Sequence, residues 1–212
     1  MPAVRRRTHR PLLWASERRV LAMGFEVVAG IDEVGLGPLA GPACAGAVVL
    51  VPGTRLPGLD DSKKLRAGER ERLSELIRRR AAAWAVGEVT HAEIDRVGMT
   101  RARQLAMERA VHGLAMQADY LLIDAWDVPD LPLPQLAVVK GDAVCASIMA
   151  ASVVAKVHRD RLMTEYDQLY PGYGFAIHKG YATADHRCAL RELGPSPIHR
   201  LSWASVQAVL NG

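Results

Sequence analysis

The sequence has only three cysteines, Cys44, Cys145 and Cys188, and no two of them stand in Cys-x-x-Cys spacing. That pattern argues against a disulfide framework and against a zinc cage. Reduced thiols in a cytoplasm are the expectation. No apolar run approaches the roughly 18 residues that a membrane span requires. The basic stretch Arg5, Arg6, Arg7 and Arg10 is followed only by Pro11-Leu12-Leu13-Trp14, too short for the apolar core of a signal peptide. There is no internal repeat and no low-complexity linker. Residues 1–25 are therefore expected to form a basic arm or short helix ahead of one domain at 26–212. Charge of one sign is also in short supply: the net charge of +4 fits a polyanionic partner without requiring one.

What is present is a chain half of whose residues are apolar, enough for a sizeable core. Short apolar runs at 26–32, 44–51, 84–89, 120–123 and 135–139 predict strands. The charged segment 66–80 carries Leu73, Leu76 and Ile77 as an apolar stripe and predicts a helix. Thr90 and Glu93 form a capping-box pattern that starts another, and a longer helix is expected over 100–117. The segment 143–169 is apolar nearly all round in its first half and predicts a buried helix. A loop at 171–181 and helices over 183–193 and 202–210 complete the reading. Strands early, alternating with helices later, predict an α/β fold with one central sheet and a helical C-terminal portion.

Four acids stand at the ends of core elements. Asp32 closes the first strand with Glu33 beside it, Asp124 closes another, and Asp142 precedes the buried helix. Carboxylates next to a core need compensation, and a divalent cation is one form of it. Oxygen-only ligand sets suit magnesium or manganese rather than zinc. Two such ions about 3.5–4 Å apart support phosphodiester hydrolysis. The alternative is structural: Asp142 as a helix cap, and Asp32 and Asp124 as residues that open turns.

Gly35-Leu36-Gly37-Pro38-Leu39-Ala40-Gly41 is neither Gly-x-Gly-x-x-Gly, its third glycine being one place late, nor a P-loop. It reads as a tight turn between strands, or as backbone groups placed to meet a sugar hydroxyl, the group that separates RNA from DNA. Phenylalanine and tyrosine total only seven in the chain, yet Tyr173, Phe175 and Tyr181 fall within nine residues, beside His178 and Lys179. Aromatic faces with cations suit a nucleic-acid surface; the alternative is a packed loop with Tyr173 and Phe175 tucked inside.

These residues resemble a known family. The run from Ala29 to Pro42, Asp61-Ser62-Lys63-Lys64-Leu65, Lys140-Gly141-Asp142 with 151–157, 178–183 and Gly194-Pro195-Ser196-Pro197-Ile198-His199-Arg200 are similar, in order, to the motifs of ribonuclease HII. The resemblance spans about residues 26–205. It implies a ribonuclease H-like fold, a central mixed sheet flanked by helices. It implies an endonuclease acting on RNA–DNA hybrids and on ribonucleotides embedded in duplex DNA, leaving 3′-hydroxyl and 5′-phosphate ends. The family's metal-site acids fall on Asp32, Glu33, Asp124 and Asp142, with Mg2+ or Mn2+ as cofactor. Its ribose-reading turn falls on Gly35, Leu36 and Gly37, and its junction tyrosine on Tyr181. Lys63, Lys64 and Lys156 are expected phosphate contacts, or else two solvated loop lysines and a helix partner. The middle of the turn is usually Arg in the family, and Leu36 removes that cation. No sliding-clamp tail follows the last motif, and a cytoplasmic monomer is expected. The alternative reading is a catalytically inactive hybrid-binding protein of the same fold.

Overall fold

A computed structural model describes residues 13–211. The basic stretch at Arg5–Arg10 lies outside the described residues. Five strands form one mixed sheet: β1 (Val28–Val34), β2 (Ala43–Val49), β3 (Ala83–Val89), β4 (Tyr120–Asp124) and β5 (Gln135–Val138), in the order β3-β2-β1-β4-β5. The first three run antiparallel as a meander, and β4 and β5 join in parallel beside β1. Helices are α1 (Ala15–Ala22), α2 (Ala67–Arg80), α3 (His91–His112), α4 (Gly141–Val144), α5 (Ala146–Leu169), α6 (Phe175–His178), α7 (Ala184–Leu193) and α8 (Ala204–Leu210). None of the helices among the described residues is long and apolar enough to cross a membrane.

The sheet has two covered faces. Ala29, Ile31, Leu121 and Ile123 pack with Ala106, Met107 and Ala110 of α3. On the opposite face Val28 and Leu122 meet Ile148, while Val48 meets Met149, Val153 and the α2 residues Leu73 and Ile77. Each such fully buried aliphatic side chain contributes roughly 1.5–3 kcal/mol. Helix α5 lies unusually close to the sheet. A Cβ on Gly30 would stand 2.2 Å from the Ser147 carbonyl carbon, and one on Gly46 2.4 Å from the Ala151 oxygen. Glycine at those positions lets the helix backbone rest on the strands.

Two boundaries differ from the sequence reading, each for a local reason. The capping box forms as expected, with Glu93 N–H donating to Thr90 Oγ1 and Thr90 N–H to Glu93 Oε2. Helix α3 breaks internally at Gly98 (φ 77°), between the two helices that the sequence reading expected. It ends at His112 rather than near 117, because the chain must turn to deliver Asp119, whose carboxylate accepts the N–H groups of Glu26 and Val27 at 2.8 and 3.0 Å. The long buried helix is split at Cys145, whose extended backbone (φ −118°, ψ 124°) separates the single turn of α4 from α5. The start of α5 is capped from a distance: buried Glu17 of α1 accepts the Ser147 N–H at 2.8 Å and its hydroxyl at 2.9 Å.

Candidate active site

Sheet register brings the first two acids together. Ile31 pairs with Ile123 across the parallel strands, so the next step sets Asp32 and Asp124 side by side. Because side chains alternate between faces, both carboxylates follow Gly30 and Leu122 toward α4 and α5. Glu33 is turned the other way, toward Arg103 on α3. Helix α4 supplies the fourth acid. Lys140 in left-handed conformation (φ 56°) opens it, and the Gly141 N–H donates to Asp124 Oδ1 at 2.7 Å. Asp142 follows directly, with 7% of its surface exposed.

The cluster is electrostatically loaded. Burial pushes the Asp32 carboxyl up to about 8, reinforced by repulsion from Glu33 and Asp124 and opposed by hydrogen bonds from Ser152 and the Glu33 N–H. Burial likewise raises Glu33, with Arg103 pulling it back, and raises Asp124, with Asp142 adding repulsion. Glu33 Oε2 is buried with no hydrogen-bond partner. Among the described residues the acids are not closed into a ready coordination cage. Carboxylates gathered at one end of the sheet, with a buried Glu33 oxygen that lacks a partner, nonetheless make an oxygen-only donor set of the kind that suits a hard divalent cation.

The lysines separate. Lys63 reaches the cluster: its ammonium donates to Asp142 Oδ2 at 2.7 Å. The 60–64 turn delivers it, with the Lys63 N–H on Asp61 Oδ1 at 2.9 Å and Ser62 Oγ on Ser152 Oγ of α5 at 2.8 Å. Lys64 does not join; it is exposed beside Asp60 at 3.5 Å. Lys156 pairs with Asp160 at 2.6 Å, ten residues along α5 and thus roughly 15 Å beyond its start. It lines a groove with Arg70, Arg161 and Lys179.

The glycine turn sits at the end of β1. Gly35 takes φ +87°, which favours glycine. Leu36 lays its side chain against the α3-side core, so it offers backbone rather than side chain to a ligand. A Cβ on Gly37 would stand 3.8 Å from Tyr181 Cε1, so the turn and the tyrosine are neighbours. The carbonyls of Gly35 and Leu36 face inward, onto Arg200, at 2.6 and 3.1 Å. Among the described residues the N–H groups of Gly35, Leu36 and Gly37 have no backbone acceptor. With the Gly35 and Leu36 carbonyls taken by Arg200, the turn keeps mainly donors for a ligand, where the sequence reading allowed both donors and acceptors. The aromatic stretch also divides. Phe175 is fully buried with Tyr173 stacked on it at 5.2 Å, whereas Tyr181 is 41% exposed. The packed-loop alternative holds for the first two because they close a separate small core with Met163 and Ile198.

Sequence reasoning missed the residues beneath this surface. Arg159 and Arg200 are both wholly buried. Together they donate to seven carbonyls, all but one of them in the 35–42 turn. Three imidazoles flank them. His186 Nδ1 lies 2.9 Å from the Tyr181 carbonyl, and its Nε2 lies 3.1 Å from His199 Nε2. Arg200 and His199 stand in the last matched motif; Arg159 gave no signal, being one charge among Lys156, His158, Asp160 and Arg161.

Comparison with known proteins places this geometry. A family model described as Ribonuclease HII matches residues 29–206. The chain is 52% identical over 197 residues to the Ribonuclease HII of Geobacter sulfurreducens, covering 93% of this chain and 91% of that one. It is 54% identical over 195 residues to that of Geobacter metallireducens, covering 92% of each. Among solved structures, ribonuclease H2 from Pyrococcus horikoshii OT3 superimposes with a TM-score of 0.76 at 28% identity, over 88% of this chain and 98% of that one. The mixed sheet with helices on both faces, the ordered motifs and these matches agree that the chain belongs to the ribonuclease HII family and is a ribonuclease H.

Proposed function

We propose that the protein is an endonuclease that hydrolyses the RNA strand of RNA–DNA hybrids and cuts at ribonucleotides embedded in duplex DNA, leaving 3′-hydroxyl and 5′-phosphate ends. Such an activity serves RNA primer removal and ribonucleotide excision repair. The observation that supports the reading is that Asp32 and Asp124 stand side by side on adjacent strands with Asp142 just past the Gly141 N–H that binds Asp124, beside a turn whose N–H groups lack backbone acceptors among the described residues.

In this reading Asp32, Glu33, Asp124 and Asp142 hold two magnesium or manganese ions. When bound, such a pair lowers the pKa of the attacking water and neutralises charge on the leaving 3′-oxygen. The protein's own groups do the rest. The Gly141 N–H fixes the Asp124 carboxylate. Lys63 orients Asp142 and places a cation where a phosphate would lie. The amides of Gly35, Leu36 and Gly37 take the ribose 2′-hydroxyl as acceptor, a group absent from DNA. Tyr181 stacks on the sugar of the following deoxynucleotide, where a second hydroxyl would be crowded. Lys64 and Lys156 are proposed as outlying phosphate contacts, Lys156 only after its ammonium is shared with Asp160.

The test is cleavage of a DNA duplex bearing one ribonucleotide, with magnesium and with chelator. Magnesium-dependent scission on the 5′ side of the ribose is expected. Binding without scission would favour the inactive hybrid-binding protein instead, and cutting of all-DNA duplex would favour a junction or integrase-type nuclease.

A further inference from the structure

Two loops that are far apart in sequence make up the proposed ribose-reading surface, and a single guanidinium joins them. Arg159 of α5 donates from Nε to the Pro42 carbonyl at 2.9 Å and from Nη2 to that of Ala40 at 3.3 Å, both in the glycine turn. Its Nη1 donates to the Lys179 carbonyl at 3.0 Å, two residues before Tyr181. The Tyr181 ring centroid lies 5.9 Å from the guanidinium carbon. Arg200, by contrast, has all four of its carbonyl partners in the turn.

The Lys179 carbonyl is aimed inward by consecutive left-handed residues, Lys179 (φ 53°) and Gly180 (φ 83°). A side-chain-bearing residue in that region is disfavoured by roughly 1 kcal/mol or more unless its surroundings over-determine it. Here they do. The Gly180 carbonyl accepts the Leu39 N–H at 2.8 Å, and a Cβ on Gly180 would stand 2.5 Å from the Ala40 oxygen. Among the described residues no carboxylate pairs with Arg159, although its side chain is wholly buried. A methionine would fill the same space without an unpaired charge to desolvate. What methionine lacks is a planar fork that meets carbonyls on two loops at once.

We infer that Arg159 is a positioning residue that fixes Tyr181 relative to the Gly35–Gly37 turn and thereby sets discrimination between the ribose and the deoxyribose that follows it, both on the 3′ side of the cleaved phosphate. The inference rests on the nuclease reading above and adds the residue through which its two sugar contacts are held in register. Lysine at this position keeps the charge but cannot bridge both loops.

The test compares kcat/KM on two duplexes, one with a single ribonucleotide followed by DNA and one with a continuous RNA strand opposite DNA. Their ratio does not depend on how much of a variant is folded. Arg159→Lys is expected to move the ratio toward that of Tyr181→Ala by about tenfold, the scale on which sub-ångström misplacement acts. In the double variant Arg159→Lys/Tyr181→Ala, the arginine change should alter the ratio no further, because contacting residues are non-additive. Arg159→Gln, which keeps an amide donor, should fall between wild type and lysine, and it supplies the ratio if the lysine variant does not fold. A wild-type ratio in both variants, or simple additivity with Tyr181→Ala, overturns the inference. Wild-type protein that cleaves neither duplex with magnesium overturns the nuclease reading, and the positioning role falls with it.

Discussion

The Lys63 ammonium lies 2.7 Å from Asp142 Oδ2, inside the acidic cluster, although its side chain is 77% exposed. A surface lysine is thus bound to an oxygen that the proposed metal site needs. Hydrogen bonding to Asp142 holds the lysine above its usual range, so it stays charged at neutral pH. It competes with a cation for that oxygen, but high exposure makes the competition weak. Lys63→Met should therefore bind Mn2+ about threefold more tightly, an effect within the range of exposed ion pairs. It should at the same time cleave more slowly, through loss of a phosphate contact. Calorimetric Mn2+ titration beside a cleavage assay separates the two; weaker Mn2+ binding in the variant would show that the lysine supports the site instead.

Asp124 sits at the centre of the repulsion, between Asp32 on one side and Asp142 on the other. Asparagine keeps its shape and can keep the hydrogen bond from the Gly141 N–H, but it removes the charge. Asp124→Asn should lower kcat by at least about a thousandfold, or roughly 4 kcal/mol. Hybrid affinity, measured by gel shift with calcium, should change little. Full turnover by this variant would remove Asp124 from the metal site.

The acids were legible in the sequence because they stand at the ends of core elements, Asp32 and Asp124 closing apolar runs and Asp142 preceding a buried helix, where an ionised group stands out. Their convergence was not. It depends on the parallel register of β1 with β4, which no local pattern encodes. The capping box at Thr90 was readable for the opposite reason, since both partners lie within one turn. Arg159 stayed hidden because the carbonyls that justify its burial are 117 and 119 residues away, so inside α5 it looked like a solvated charge. The clustering of Tyr173, Phe175 and Tyr181 was visible, but which ring faces solvent followed from Met163 and Ile198 closing over the first two. Composition carries no sign of that choice.

Leu36 gives a separate handle on affinity. Its side chain packs on the α3-side core and leaves the turn's outer edge without a cation. Leu36→Arg should restore one phosphate contact. The plot of log KM against log salt should then steepen by about 0.9, and KM at low salt should fall. The cost is a small loss of packing, visible as a lower Tm. An unchanged salt slope would mean that position 36 does not face the phosphates at all.

The imidazoles behind Tyr181 fix the acid limit of the fold. His186 Nδ1 meets the Tyr181 carbonyl and must donate, so its Nε2 is bare and the proton on the facing nitrogen belongs to His199. His199 Nδ1 then has to accept the Ser196 N–H at 2.9 Å. A second proton on His199 would break that bond in a buried setting. Burial, His186 and, more weakly, His178 and His91 accordingly push its pKa down to about 4, against 6.5 for the ordinary group. Burial lowers His186 too. Between those two values His199 binds more protons in the unfolded chain than in the folded one, so its contribution makes stability rise with pH there. The raised Asp32 carboxyl acts in the opposite sense up to about pH 8, so the histidine contribution is read as a difference: relative to a variant lacking His199, the wild type should lose several degrees more of Tm as the pH falls from 6.5 toward 4. His199→Gln, whose side-chain oxygen can still accept the Ser196 N–H, should start from a lower Tm at neutral pH but lose less of it on acidification. A melting series over this range checks both slopes; parallel acid loss in the variant would assign the sensitivity to His186 or to other groups.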